Sequence, residues 1–124
     1  MKVFKISTII ICFLFFISLS LMAERIYCKK YSTVYKDYKL SILFSQNGKM
    51  LISVEDNNNG GYFSSPGNYI IKETKIDFFY RGLSRTIYLK DDQITASPYS
   101  FNIDEDYKTK IVLTEDKSFS SSCK

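Results

Sequence analysis

Apolar and polar positions alternate in short runs bounded by turn residues, the period of strands with one buried face and not of helices. Tyr38-Lys39-Leu40-Ser41-Ile42-Leu43-Phe44 alternates in this way, and so does Met50-Leu51-Ile52-Ser53-Val54. Between them Asn47-Gly48 supplies the two residues that most readily take φ > 0, which predicts a hairpin closed by a type I′ turn. Glu55 to Gly61 is a polar loop. Three further strands are expected at Asn68–Lys72, Lys75–Tyr80 and Arg85–Lys90. Asp91-Asp92 then turns the chain into Gln93–Ala96, and Lys110–Thr114 follows the polar stretch Asn102 to Lys108. With Ile26-Tyr27-Cys28 near the start, about eight strands are expected.

Many short strands with tight sequential connections and no helical segment predict an all-β fold, a small antiparallel meander forming a β-barrel. Closure removes the exposed edges that a flat sheet of this hydrophobicity would offer for aggregation. Eight short strands leave a small interior, which is usually filled by the barrel's own side chains.

The first residues follow another pattern. Met1, Lys2 and Lys5 precede the apolar run Ile6 to Leu21, and Met22-Ala23-Glu24 closes it. Basic start, apolar stretch and small residue together read as a secretory signal peptide at 1–23, leaving 24–124 as a single secreted or periplasmic domain. Cleavage after Ser20 and retention as a membrane anchor are the alternatives, since the apolar run is at the short end of a bilayer span.

Removal of the leader takes Cys12 with it and leaves an even pair, Cys28 and Cys123. In an oxidising compartment these are expected to pair as a disulfide. With no CxxC and no histidine in the chain, a redox or zinc site has little to build on.

The net charge of +4 includes Lys2 and Lys5, so 15 basic residues face 13 acidic ones after cleavage, or +2. The signs are interspersed, as in Lys72-Glu73-Thr74-Lys75-Ile76-Asp77, which argues against a nucleic-acid partner. The absence of histidine also removes the Ser-His and Cys-His nucleophile pairs and the common general base near neutral pH. No enzyme activity, cofactor or metal is therefore expected. Asp104-Glu105-Asp106 reads as a solvated loop. Glu55 to Gly60 starts like a calcium loop, but its twelfth position is Pro66 where a bidentate glutamate is required.

Tyr62, Tyr69, Phe78, Phe79, Tyr80 and Tyr88 gather on successive strands around Arg81 and Arg85. Alternation puts Phe79 on the face opposite Phe78 and Tyr80, so one set can fill the core while the other stays outside. Tyrosine and arginine are also the residues that most often anchor interfaces, which makes Tyr62, Tyr69, Tyr80, Arg81 and Arg85 the candidate binding surface.

The succession from Leu40 to Ala96 resembles small bacterial lipocalin-like domains. Its elements are a strand ending in Phe44, Asn47-Gly48-Lys49, Gly61-Tyr62, Asn68-Tyr69-Ile70-Ile71, Ile76-Asp77-Phe78 and Ile87-Tyr88-Leu89 ahead of Asp91-Asp92. That resemblance implies a meandering barrel with no catalytic residues to carry over. Ile26-Tyr27-Cys28, Cys123 and Phe79-Tyr80-Arg81-Gly82 resemble the frame of periplasmic inhibitors of C-type lysozyme, which are secreted eight-stranded barrels. The Ser-Gly-x-x-Tyr loop of that family is missing, and only Gly60-Gly61-Tyr62 keeps a glycine and a tyrosine. The analogy implies Arg81 and Tyr62 facing an acidic cleft.

The function expected from the sequence is thus non-enzymatic binding by a secreted barrel, at its rim or surface more than in a large cavity. The partner would be an unknown protein or a small apolar ligand. A lysozyme-type inhibitor and a structural envelope protein are the alternatives. The disulfide is the first point to check: purified, unreduced protein should titrate no free thiol from Cys28 or Cys123. Because the bridge closes a loop of about 96 residues, Cys28→Ser with Cys123→Ser should lower the unfolding free energy by up to roughly 4 to 5 kcal/mol in urea titrations.

Overall fold

A computed structural model describes residues 26–118, so the expected leader and Cys123 lie outside the described residues. The eight strands are β1 (Lys30–Tyr35), β2 (Tyr38–Phe44), β3 (Lys49–Asp56), β4 (Gly61–Lys72), β5 (Lys75–Tyr80), β6 (Leu83–Lys90), β7 (Gln93–Ala96) and β8 (Ile111–Glu115). Each pairs antiparallel with its neighbours in chain order, and β1 meets β8 through Tyr31↔Glu115 and Ser32↔Thr114 to close the barrel. The all-β meander expected from the alternation is the fold.

The alternation is read out directly in the packing. Leu40, Ile42 and Phe44 of β2, Met50, Ile52 and Val54 of β3, and Ile76, Phe78 and Tyr80 of β5 all point inward and are buried. Phe79 points outward between the last two, as the period of two requires. Aromatic rings fill much of the interior. Tyr31 and Phe44 meet edge to face at 5.8 Å, Phe44 and Tyr69 at 5.1 Å, and Phe78 stacks on Tyr80 at 5.6 Å.

Both ends of the barrel are plugged. At one end Ile26 is fully buried on a single turn, held by the Cys28 N–H donating to Phe44 O at 2.8 Å and the Phe44 N–H donating to Lys29 O at 3.0 Å. At the other end the 3-10 turn Pro98–Phe101 lays Phe101 over the core.

Three details differ from the sequence reading. Ile26-Tyr27-Cys28 is not a strand but this plug; the first strand is Lys30–Tyr35, whose Tyr31 alone is fully inward-packed, too little alternation to stand out. The β2–β3 turn is longer than two residues, because the Ser45 N–H donates to Lys49 O around Gln46–Gly48, although Asn47 and Gly48 do take φ of 66° and 72°. Two-residue turns with both φ positive lie instead at Arg81-Gly82 (51° and 74°), between the paired Tyr80 and Leu83, and at Asp91-Asp92 (52° and 61°), between the paired Lys90 and Gln93.

The fourth strand runs twelve residues, well past the expected Asn68 start, and changes partners along its length. Gly61 to Asn68 pairs with β3, while Gly67 to Lys72 pairs with β5. The two ladders overlap at Gly67 and Asn68, and a Cβ on Gly67 would sit 2.5 Å from Phe79 O and 3.0 Å from the Tyr80 Cβ. Only glycine lets β4 press this closely on β5. Gly67→Ala should therefore cost about 1 to 3 kcal/mol or more in urea denaturation, whereas Gly61→Ala, with nothing closer than 3.9 Å, should cost well under that.

Candidate functional site

The barrel wall opens beside β6. Strand β7 has four residues and pairs with β6 only through Tyr88↔Thr95, Leu89↔Ile94 and Lys90↔Gln93, so Leu83 to Ile87 has β5 on one side and no strand on the other. Ser97-Pro98 ends β7. Proline has no N–H to give the ladder and its φ suits the first position of a helical turn, while Ser97 and Ser100 hydrogen-bond each other as the cap. The chain then crosses the barrel end and returns through Tyr107 to Lys110 into β8.

Strand polarity decides what faces the opening. The Leu89 N–H donates to Thr74 O on the β5 side, so even-numbered residues of β6 direct their backbone groups the other way. Ser84 and Thr86 thus aim their N–H and C=O groups into the gap. Arg85 spans it: Nε donates to Tyr99 O at 3.1 Å, Nη1 donates to Ser84 O at 2.9 Å, and the guanidinium lies 3.8 Å from the centre of the Tyr99 ring. Two of its five N–H donors go to backbone carbonyls, and the second Nη1 hydrogen and both on Nη2 remain for other partners.

The resulting groove has a volume of about 430 Å³ and is lined by Ser84, Arg85, Thr86, Tyr88, Thr95, Ala96, Ser97, Tyr99, Ser100 and Tyr107 to Lys110. Three cations line it, Arg85, Lys108 and Lys110, and no carboxylate does. The carboxylates that touch its border are already engaged. Asp77 accepts from Thr86 Oγ1 at 2.9 Å and lies 3.6 Å from Lys72 Nζ. Asp106 caps its own turn through the Lys108 and Thr109 N–H groups and the Thr109 hydroxyl, bonds that hold its carboxyl below the usual range. A second depression, about 750 Å³, shares Tyr88, Thr95 and Lys110 with the first and continues past Lys90, Gln93 and Val112.

The five residues expected to form a binding surface do not form one surface, although Tyr80 and Arg81 share a small depression of about 190 Å³ with Phe63 and Phe101. Tyr69 and Tyr80 are core residues, 6% and 2% exposed, because their parity on β4 and β5 turns them inward. Their hydroxyls are spent on backbone, Tyr69 on Ser45 O and Tyr80 on Ser100 O, both at 2.9 Å. Tyr62 is 68% exposed on the outer face of β4, its hydroxyl 3.5 Å from Ser53 Oγ. Arg81, at the β5–β6 turn with φ of 51°, folds its guanidinium over the Phe63 ring at 4.4 Å. Of the five, only Arg85 lies in the groove.

The sequence reading missed Tyr99, Tyr107, Lys108 and Lys110, which it left in or beside a polar loop. A signal was present: Ser97-Pro98, with Asn102 four residues on, is an N-cap, a first-turn proline and a left-handed C-cap (φ 55°), which marks a helical turn carrying Tyr99 and Phe101. Among the described residues no group of three or more His, Cys, Asp or Glu is placed to hold a metal ion. Compared with known protein families, curated proteins and solved structures, the chain matches none.

The buried phenols carry a pH signature. Burial, with the nearby Tyr27 adding to it, pushes Tyr69 up to about 12, and burial also raises Tyr80. Because the folded-state pKa lies above the unfolded value of 10, the stabilisation is complete below pH 10 and is lost as pH rises toward 12. Stability should therefore fall by about 2 to 3 kcal/mol over that window on account of Tyr69, and Tyr69→Phe should flatten the decline in urea titrations at pH 9 to 12.

Proposed function

We propose that this is a secreted, non-enzymatic binding protein that uses the outside of its barrel and not its interior. The observation that carries this reading is the filled core. Tyr31, Phe44, Phe78 and Phe101 are each at most 2% exposed, Ile26 and Phe101 cover the two ends, and the Tyr69 and Tyr80 hydroxyls are both given to backbone carbonyls. The filled core favours binding on the outside of the barrel over a ligand held within it. The groove beside β6, by contrast, falls within the volume range of small-ligand sites, about 300 to 1,000 Å³, and combines aromatic rings with unspent polar groups.

The secreted part of the proposal rests on the leader-like first residues together with the even cysteine pair. The proposed Cys28–Cys123 bridge is supported by where the chain ends come together: the Asp116 N–H donates to Lys30 O at 2.7 Å, so the last described residues leave the barrel beside the Cys28 turn. The inhibitor alternative asks for Tyr62 and Arg81 on one protruding tip. Tyr62 lies on the outer wall while Arg81 bends over the barrel mouth, and so the surface reading is preferred.

Two measurements test it. A fluorescent fatty acid titrated into the purified protein should show no one-to-one binding. Immobilised protein should retain a partner or small molecule from extracellular and envelope fractions, and retention should drop about tenfold on Arg85→Gln. One equivalent of lipid extracted from the purified protein would overturn the proposal.

A further inference from the structure

We propose that the groove between β6 and the Tyr107–Lys110 segment binds an acidic saccharide, with its acid group at Arg85, Lys108 and Lys110 and its sugar rings against tyrosine faces. The inference rests on the surface-binding reading above and names the ligand class for that site.

Charge comes first. Three cations line the groove with no carboxylate among the lining residues, and the two carboxylates at its border, Asp77 and Asp106, are already hydrogen-bonded to Thr86 and to Thr109. An anion entering the groove meets three cations and no lining carboxylate, with the ionised Asp77 and Asp106 set back at the border and turned to their own hydrogen-bond donors. The guanidinium is held in place by Tyr99 and by two carbonyls, so its remaining nitrogen is fixed in direction before any ligand arrives, which lowers the ordering cost of binding. Lys108 and Lys110 supply mobile charges around it.

The remaining lining selects among anions. Tyr88 and Tyr107 are 44% and 70% exposed, open phenol rings on a barrel that buries Tyr31, Tyr69 and Tyr80, while Tyr99, 38% exposed, carries the Arg85 guanidinium on one face. A pyranose ring presents a face of C–H bonds that packs on such rings, while its hydroxyls need both donors and acceptors. Thr86 offers both from its backbone. Among the described residues no backbone group pairs with it on the groove side, and the Thr95 hydroxyl lies on the same wall. The adjoining depression past Tyr88 and Lys110, lined by Lys90 and Asp91 as well, gives a chain of sugars room to continue, with the acid group needed only at the Arg85 end.

An acidic peptide adding as a strand to the open edge of β6 is disfavoured by Arg85. Its side chain already bridges Ser84 O and Tyr99 O and occupies the slot such a strand would need. A second copy seated symmetrically would bring Arg85, Lys108 and Lys110 against their own equivalents, and like charges across an interface cost affinity.

The experiment is calorimetric titration of the purified protein at about 0.15 M salt. The probes are hexamers of galacturonic acid and of a sulfated chondroitin, with maltohexaose as the uncharged sugar and hexaglutamate as the acidic chain without rings. At least one acidic hexasaccharide should bind one-to-one and about tenfold more tightly than either control; which one distinguishes a carboxylate from a sulfate ligand. Lys108→Gln and Tyr107→Ala, both at exposed positions that leave the fold intact, should each weaken it several-fold, and Arg85→Gln should weaken it most. Equal binding of hexaglutamate would overturn the saccharide assignment in favour of charge alone. Absence of acidic-saccharide binding by folded protein would overturn it outright, as would self-association in sedimentation runs that Lys108→Gln abolishes. If saccharides fail while partner capture still depends on Arg85, the surface-binding reading stands and only the ligand class falls.

Discussion

An eight-stranded barrel has an interior about as wide as the side chains that line it, and this chain sets six tyrosine and phenylalanine rings among the isoleucines and leucines that fill it. Rings of that size need small neighbours and fixed orientations. Gly67 and Ala96 yield space along the inward rows, and the edge-to-face contacts of Phe44 with Tyr31 and Tyr69 set the ring directions. The tyrosine rings carry hydroxyls that burial without a partner would leave unsatisfied at a cost of about 1 to 3 kcal/mol each. Tyr69 and Tyr80 meet that need by reaching the loops at opposite ends of the barrel, Ser45 and Ser100, so the core dictates where both loops lie.

The opening beside β6 is a consequence of the same packing. Phe101 must reach the core end and Ser100 O must meet the Tyr80 hydroxyl, so the chain leaves the sheet at Ser97 after only four residues of β7. Strand β6 is left with an open row along half its length. Arg85 covers part of that row, taking one carbonyl on each wall, and keeps the two sides at a defined separation. A groove with preset polar groups thus arises where the barrel's closure and the plugging of its end make incompatible demands on one segment of chain.

The fold was legible in the sequence because alternation and turn residues report on the same periodicity that buries the core. Tyr38–Phe44, Lys75–Tyr80 and Gln93–Ala96 have the bounds their patterns imply. Strand β1 was not legible: Lys30-Tyr31-Ser32-Thr33-Val34-Tyr35 exposes Val34 and packs only Tyr31 fully, so its place in the sheet is imposed by the neighbours β2 and β8. The site was read far less well. Aromatic and arginine residues close in sequence marked a candidate surface, but parity on a strand separates such neighbours, sending Tyr80 inward and Tyr62 outward. Arg85 joins instead with Tyr99 and Lys108, residues that come to it only through the long return from β7 to β8.

Arg85 illustrates why the two roles of one residue are compatible. Its parity on β6 matches the buried Ile87 and Leu89, yet the position lies at the barrel's end, beside Tyr99 and near the raised phenol of Tyr80, on which its charge acts in the opposite sense to burial. A leucine there would extend the core and leave Ser84 O and Tyr99 O without these donors. Arginine satisfies both carbonyls with two nitrogens and, being planar and permanently charged, still presents a third toward solvent. Lysine could supply the charge but could not hold both walls in this forked geometry while stacking on Tyr99. The residue that closes the gap in the barrel is for that reason also the one that gives the gap a directed positive charge.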